Sequence, residues 1–233
     1  MPLRVLVTGA NRGIGFEFTR QLLHRGARVI AACRQPGKAL KLTELAGAYP
    51  GHLHILPLDL SKERSIAELA REAAAVTDAL DLLVNNAGVL VSGERYGELE
   101  AKTFVDTFTT NAVGPLLLTQ ALTPLLTHGE KPKVVNLTSN LGSLSKTTEF
   151  FTPSYAVSKA ALNMVTRQLA AELGPAGITV ISANPGWVKT DMGGAQAPVT
   201  PTHSVCGLLT LVDGLQRRDS GRFFDYTGAA HEW

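Results

Sequence analysis

Short apolar runs recur along the chain at intervals that leave room for a helix between them. They cover 3–8 (LRVLVT), 28–33 (RVIAAC), 53–58 (LHILPL), 81–85 (DLLVN), 133–138 (KVVNLT) and 178–183 (ITVISA), with a shorter run at 222–224 (RFF). Each is apolar at consecutive positions rather than alternate ones, as expected of strands buried on both faces of a parallel sheet. Between them lie stretches of helical period at about 13–25, 38–47, 62–77, 101–127, 153–173 and 202–215. Punctuation agrees with this division. Gly26 and Gly174 stand where a helix C-terminus calls for a left-handed residue, and Pro175 blocks continuation. Ser61 and Thr152 are candidate N-caps, and Pro153 suits the first helical position. Strand and helix alternating from end to end predict an α/β fold. The expected form is a Rossmann-type, doubly wound parallel sheet of about seven strands with helices on both faces.

Composition narrows the class without changing it. The 233 residues are 45% hydrophobic and 18% charged, which suits one domain over 1–233. A net charge of +2 without a Lys/Arg block argues against a nucleic-acid partner. Apolar runs fall short of the ~18 residues of a membrane span, and no secretory leader is evident. Cys33 and Cys206 follow no disulfide or metal spacing, so a cytoplasmic protein without a metal is expected. The stretch 189–203 (KTDMGGAQAPVTPTH) reads as a mobile loop, within a substrate-loop region over 187–215.

The chemistry begins at 8–15, TGANRGIG, between the first strand and the first helix. Gly9 permits a tight turn, Gly13 lets backbone approach a pyrophosphate, and Gly15 lets the helix pack close to the strand. The helix N-terminus offers free N–H groups to the phosphates. A glycine-rich turn without a ligand is the alternative, which the strand–loop–helix placement makes the weaker reading. At the end of the second strand stands Cys33-Arg34-Gln35, where an acid would hold the ribose hydroxyl of NAD. A guanidinium instead suits a 2′-phosphate, and Arg12 in the glycine loop lies within reach of the same group. NADP(H) is therefore favoured over NAD(H); the alternative, that both arginines are solvated surface charges, is common for one arginine and less so for two at these positions.

Tyr155 and Lys159, in SYAVSKAALNM, are four residues apart and fall within about 40° of each other on a helix. A phenol donates a proton to a carbonyl oxygen if a neighbouring ammonium stabilises the phenolate. Ser139, just after the fifth strand, could hold the same oxygen, with Thr138 and Asn140 as competitors. Taken alone, such a Tyr–Lys pair is commonly a surface pair.

Together these residues resemble the short-chain dehydrogenase/reductase family in its short, single-domain form. The resemblance spans nearly the whole chain. It rests on TGANRGIG at 8–15, Asp59 in LDLS, NNAG at 85–88, Asn111 in TNAVG, NLTS ending at Ser139, the Tyr155–Lys159 pair and PGWVKTDM at 185–192. The wording of 185–193 and of SGRFFDYTG is similar to that of C-factor-like and carbonyl-reductase-like members. The resemblance implies Tyr155 as general acid, with Lys159 lowering its pKa and holding the nicotinamide ribose. It implies Ser139 orienting the carbonyl and Asn111 kinking its helix and holding a water by its backbone. Asn11, Ile14, Asp59, Leu60, Asn86, Ala87 and Gly88 would line the adenosine side with the glycine loop. Pro185, Gly186, Val188 and Thr190 would frame the carboxamide. Sixteen positions separate Ser139 from Tyr155, more than in many members, so 140–152 carries a small insertion in the substrate wall.

The expected function is hydride transfer between NADP(H) and a small carbonyl or alcohol. Loops 90–98, 140–152 and 187–203 would shape a modestly hydrophobic site. Helices 101–127 and 153–173 would pair with a second copy in a homodimer or homotetramer. Two other readings compete. A sugar-nucleotide epimerase of the same fold would carry GxxGxxG and more C-terminal chain. A coenzyme-binding regulatory or signalling protein would have little turnover, whereas this chain keeps Asn111, Ser139, Tyr155 and Lys159.

Overall fold

A computed structural model describes residues 2–233. The strands are β1 (Arg4–Thr8), β2 (Arg28–Cys33), β3 (Leu53–Pro57), β4 (Leu82–Asn85), β5 (Lys133–Leu137), β6 (Thr179–Asn184) and β7 (Phe223–Asp225). They form one sheet in the order β3-β2-β1-β4-β5-β6-β7, and every neighbouring pair is parallel. The helices are α1 (Gly13–His24), α2 (Leu40–Ala48), α3 (Glu63–Val76), α4 (Ala101–Phe108), α5 (Gly114–Thr127), α6 (Pro153–Leu173) and α7 (Pro201–Gly214). The expected doubly wound architecture is present.

The double-sided apolar strands explain the layering. Along β1, Val5 and Val7 face one way and Leu6 the other. The first pair joins Val29, Val84, Val135 and Ile181 in a core closed by Phe18, Leu22, Leu42, Leu208 and Val212 of α1, α2 and α7. Leu6 joins Ile30, Leu83, Val134 and Val180 beneath Ile66, Leu69, Leu118, Leu122 and Leu169 of α3, α5 and α6. Each such side chain contributes ~1.5–3 kcal/mol by leaving water. At the amino edge, Asp81 accepts from Arg4 N (2.8 Å), Arg4 Nε (3.0 Å) and Glu130 N (2.7 Å), tying β1 to the start of β4. Strand order reverses between β1 and β4, and open α/β sheets bind ligands at the carboxyl ends of the strands at such a point.

Several local expectations change. The stretch 101–127 is two helices joined by a π-helical turn at Thr109–Val113, since the wider turn lets Asn111 reach inward. Gly174 is right-handed (φ −55); Gly177 (φ 83) takes the left-handed position three residues later. Gly26 is left-handed as expected (φ 80). Ser61 does not cap α3. Its hydroxyl donates to Asp59 Oδ1 at 2.7 Å, in a turn closed by Ser61 N to the same oxygen at 3.1 Å. Thr152 does precede Pro153, the first residue of α6, but it is left-handed (φ 40) and its hydroxyl caps nothing. The 189–203 loop is tied back on itself: Lys189 N donates to Val199 O (2.8 Å), Val199 N to Trp187 O (3.2 Å) and Trp187 Nε1 to Gly193 O (2.7 Å).

Candidate active site

The carboxyl ends of β1, β4, β5 and β6 deliver four loops to one edge of the sheet. The glycine loop comes first. Gly9 (φ 64) and Gly13 (φ 54) occupy left-handed conformations that a side chain would strain. A Cβ on Gly15 would lie 2.4 Å from both Gly9 O and Asn86 Nδ2, so α1 can approach β1 only because Gly15 has none. No side chain caps the α1 N-terminus, and its first turn carries no acid. Its leading N–H groups therefore suit an anion such as a pyrophosphate. Asn11 and Arg12 are exposed, while Ile14 is half-buried against the core.

The segment after β4 is stitched to this loop. Asn86 Nδ2 donates to Thr8 O (2.7 Å) and Gly9 O (3.3 Å), and Asn86 N and Ala87 N both donate to Thr8 Oγ1 at 3.0 Å. The Asn86 amide thus holds the glycine loop itself. Gly88 is small for a local reason, because its Cβ would sit 3.2 Å from Asn111 Oδ1 and 3.6 Å from Lys159 Nζ. Asn111 is fully buried. Its Oδ1 accepts from Val89 N (2.8 Å), and its Nδ2 donates to Val89 O (2.8 Å) and Ser158 Oγ (3.0 Å).

Tyr155 and Lys159 lie on the inward face of α6, 8% and 4% exposed. Lys159 Nζ donates to Leu137 O at 2.7 Å and stands 5.5 Å from the centre of the Tyr155 ring. Ser139 lies two residues beyond Leu137, and its Oγ accepts from Leu141 N at 3.1 Å. Of the two competitors, Thr138 is buried with its hydroxyl directed to Lys159 O (3.3 Å), and Asn140 is exposed. The expected lowering of the Tyr155 pKa by Lys159 is not seen: burial pushes the phenol up to about 12, and the downward pull comes from the Ser139 hydroxyl. Burial also pulls the Lys159 ammonium down to about 8. Both shifts follow from the cost of holding charge away from water.

The loop after β6 faces the glycine loop. Thr190 Cγ2 lies 3.3 Å from where a Gly13 Cβ would project, and Arg12 pairs with Asp191 at 3.1 Å. Val188 is buried; Pro185 O accepts from Ser204 Oγ (2.6 Å); Gly186 (φ 81) leaves room for the Tyr226 ring, 2.9 Å from its missing Cβ. Asp59 and Leu60 lie in the loop between β3 and α3. Burial works to raise the Asp59 pKa, but hydrogen bonds from Ser61 and the nearby Lys62 bring it below the usual range. Buried Leu60 packs where Gly114 lacks a side chain, 2.7 Å from the position of a Cβ. Arg34 is exposed at the end of β2.

The model of the short chain dehydrogenase family matches residues 4–199. The chain belongs to that family. Among relatives of this short chain dehydrogenase, the C-signal of Myxococcus xanthus is 43% identical over 157 residues, which cover 67% of this chain and 95% of that protein. An NADPH-bound carbonyl reductase from chicken fatty liver is 35% identical, with a TM-score of 0.94 over 100% of both chains. The carbonyl reductase Sniffer of D. melanogaster is 32% identical, with a TM-score of 0.95 over 100% of both.

Sequence reasoning missed the polar layer beneath the candidate site. Asn85 Nδ2 donates to Asn136 Oδ1 (2.8 Å), Asn136 Nδ2 to Thr166 Oγ1 (2.8 Å), and Ser182 Oγ to Thr166 Oγ1 (2.8 Å). One asparagine in each of β4 and β5 and a serine in β6, all in otherwise apolar strands, were the signal, because a buried amide needs partners.

Proposed function

We propose that the protein is an NADP(H)-dependent oxidoreductase of small carbonyl and alcohol substrates, with residues 1–233 acting as one domain. One observation carries this reading: a phenol and an ammonium, both buried, stand side by side at the carboxyl edge of the sheet, close to where the strand order reverses. The uncapped start of α1 and the glycine loop fit the pyrophosphate. Arg12 and Arg34 fit a 2′-phosphate, and the NADPH-bound carbonyl reductase at 35% identity supports the choice. Asp59 and Leu60 with 86–88 would flank the adenosine, while 185–190 would hold the carboxamide. Bound there, the coenzyme supplies or accepts the hydride.

The chain's own groups account for the proton. A Tyr155 raised to about 12 enters the reaction as a phenol and so arrives loaded to protonate a carbonyl oxygen. Lys159, at about 8, is cationic at neutral pH and stabilises the phenolate that forms. Ser139 orients the same oxygen. Asn111 fixes the backbone at Val89 and the α6 turn at Ser158. Exposed Tyr96, Leu144, Phe150, Phe151, Trp187 and Met192 support a modestly hydrophobic ketone or aldehyde. Val105 and Phe108 on α4, with Val157 and Met164 on α6, leave an exposed apolar stripe suited to a second copy in a homodimer or tetramer. Cys33 and Cys206 are free thiols, in keeping with a cytoplasmic setting.

The likeness to a protein named C-signal favours a second reading, a coenzyme-holding signalling protein with little turnover. Tyr155→Phe distinguishes the two. The variant should lose NADPH-driven reduction of benzil, menadione and nitrobenzaldehyde while still quenching and shifting NADPH fluorescence. Unchanged turnover removes Tyr155 from its role, and no turnover by the parent protein on any carbonyl favours the signalling reading.

A further inference from the structure

The catalytic helix has no cap of its own. Thr152 is left-handed (φ 40) and its Oγ1 is buried without a partner, while Pro153 has no N–H to offer. The next N–H, that of Ser154, donates instead to Glu94 Oε2 at 3.3 Å, and the buried Ser154 hydroxyl donates to the same oxygen at 2.9 Å. Glu94 lies 60 residues upstream, in the segment between Gly88 and α4. A carboxylate at this place satisfies a free donor and complements the positive end of the helix.

The same segment grips α6 a second time. Val89 is bound on both its N–H and its C=O by Asn111, whose Nδ2 donates to Ser158 Oγ (3.0 Å); Ser158 Oγ in turn donates to Tyr155 O at 2.7 Å. Tyr155 is therefore bracketed, by Glu94 at the residue before it and by the Asn111–Ser158 pair at the residue three after it. Further out, the Tyr96 ring meets Phe150 edge-on at 5.7 Å, joining this segment to the loop that leads into α6.

We propose that Glu94 is a positioning residue for Tyr155, replacing the missing cap of α6 and making the aim of the phenol depend on the 89–100 segment. The proposal rests on the reading of Tyr155 as general acid. Its test is the steady-state reduction of benzil by NADPH, run on Glu94→Ala, Glu94→Gln, Ser154→Ala and Tyr155→Phe together, well below each melting temperature. Glu94→Ala should lower kcat about tenfold, with KM for NADPH within about twofold of the parent. Glu94→Gln keeps an acceptor oxygen and should recover most of the loss. Ser154→Ala keeps the backbone bond and should lose about threefold. A merely structural role would lower the melting temperature without this split between kcat and KM. Unchanged kcat in folded Glu94→Ala overturns the proposal, as does Glu94→Gln being as impaired as Glu94→Ala. If Glu94→Ala fails to fold, unchanged kcat in Ser154→Ala overturns it. Should Tyr155→Phe keep its turnover, the general-acid reading fails instead, whatever Glu94 does.

Discussion

Lys159 stands one helical turn beyond Tyr155, its Nζ 5.5 Å from the ring centre, with one of its protons committed to Leu137 O at 2.7 Å. The carbonyl at the end of β5 thus fixes the ammonium beside the phenol. Both groups are buried, and burial moves them in opposite directions, the tyrosine up to about 12 and the lysine down to about 8.

That pair sets a pH dependence. Lys159 is cationic below about 8 and neutral above it. The kcat/KM for carbonyl reduction, which reports the free protein, should hold level up to about pH 8 and fall beyond it, and Lys159→Met should be slow at every pH with that limb absent. Stability follows by linkage. Between about 8 and the ordinary lysine range the unfolded chain binds a proton that the native one does not, so the lysine's contribution rises with pH there. Tyr155 has the opposite sign. Its contribution is full below the ordinary tyrosine pKa and is lost as pH climbs toward about 12. Urea unfolding from pH 7 to 9.5, compared with Lys159→Met, reads the lysine slope.

Two glycines should respond differently to alanine. Gly15→Ala forces a methyl to within 2.4 Å of Gly9 O, so it should cost about 2 kcal/mol or more and also weaken NADPH binding by displacing the glycine loop. A Cβ on Gly26 would meet no neighbouring atom within 4 Å, and only the left-handed backbone (φ 80) would be strained by a side chain. Gly26→Ala should cost ~1–2 kcal/mol and leave binding intact. Melting curves and NADPH fluorescence titration separate the two.

Coenzyme choice should lie with the arginines. Arg12→Ala and Arg34→Ala should each raise KM for NADPH about tenfold or more and leave KM for NADH within about twofold, because a charge-assisted bond to phosphate contributes ~1.5–3 kcal/mol. Arg12 shares its guanidinium with Asp191 at 3.1 Å, in a pair exposed on both sides. Such a pair adds only ~0–1 kcal/mol to stability. Asp191→Asn should therefore leave the melting temperature nearly unchanged and strengthen NADPH binding, an effect that shrinks with added salt.

Thr152 is a candidate for stabilisation. A β-branched residue in the left-handed region before a proline is strained by ~1–3 kcal/mol, and its hydroxyl is buried without a partner. Thr152→Asn suits that backbone better and should raise the melting temperature about 2–4 °C for each kcal/mol recovered. A lower melting temperature would show that the threonine methyl packs for more than the strain costs.

The strands, most helices and their order were legible along the chain, because a strand covered on both faces must be apolar at successive positions and a helix between two layers repeats every three to four. The glycine loop and the Tyr155–Lys159 spacing were legible for the same reason, since each is a constraint within one turn or one strand end. Only the tertiary structure decided the rest. It split 101–127 at Asn111, spent the Asn86 amide on the glycine loop, aimed Lys159 at Leu137 O and gave α6 a cap from Glu94. Each of these joins residues distant in sequence, and which donor meets which acceptor depends on how the crossovers fold back on the sheet, a geometry that local periodicity does not encode.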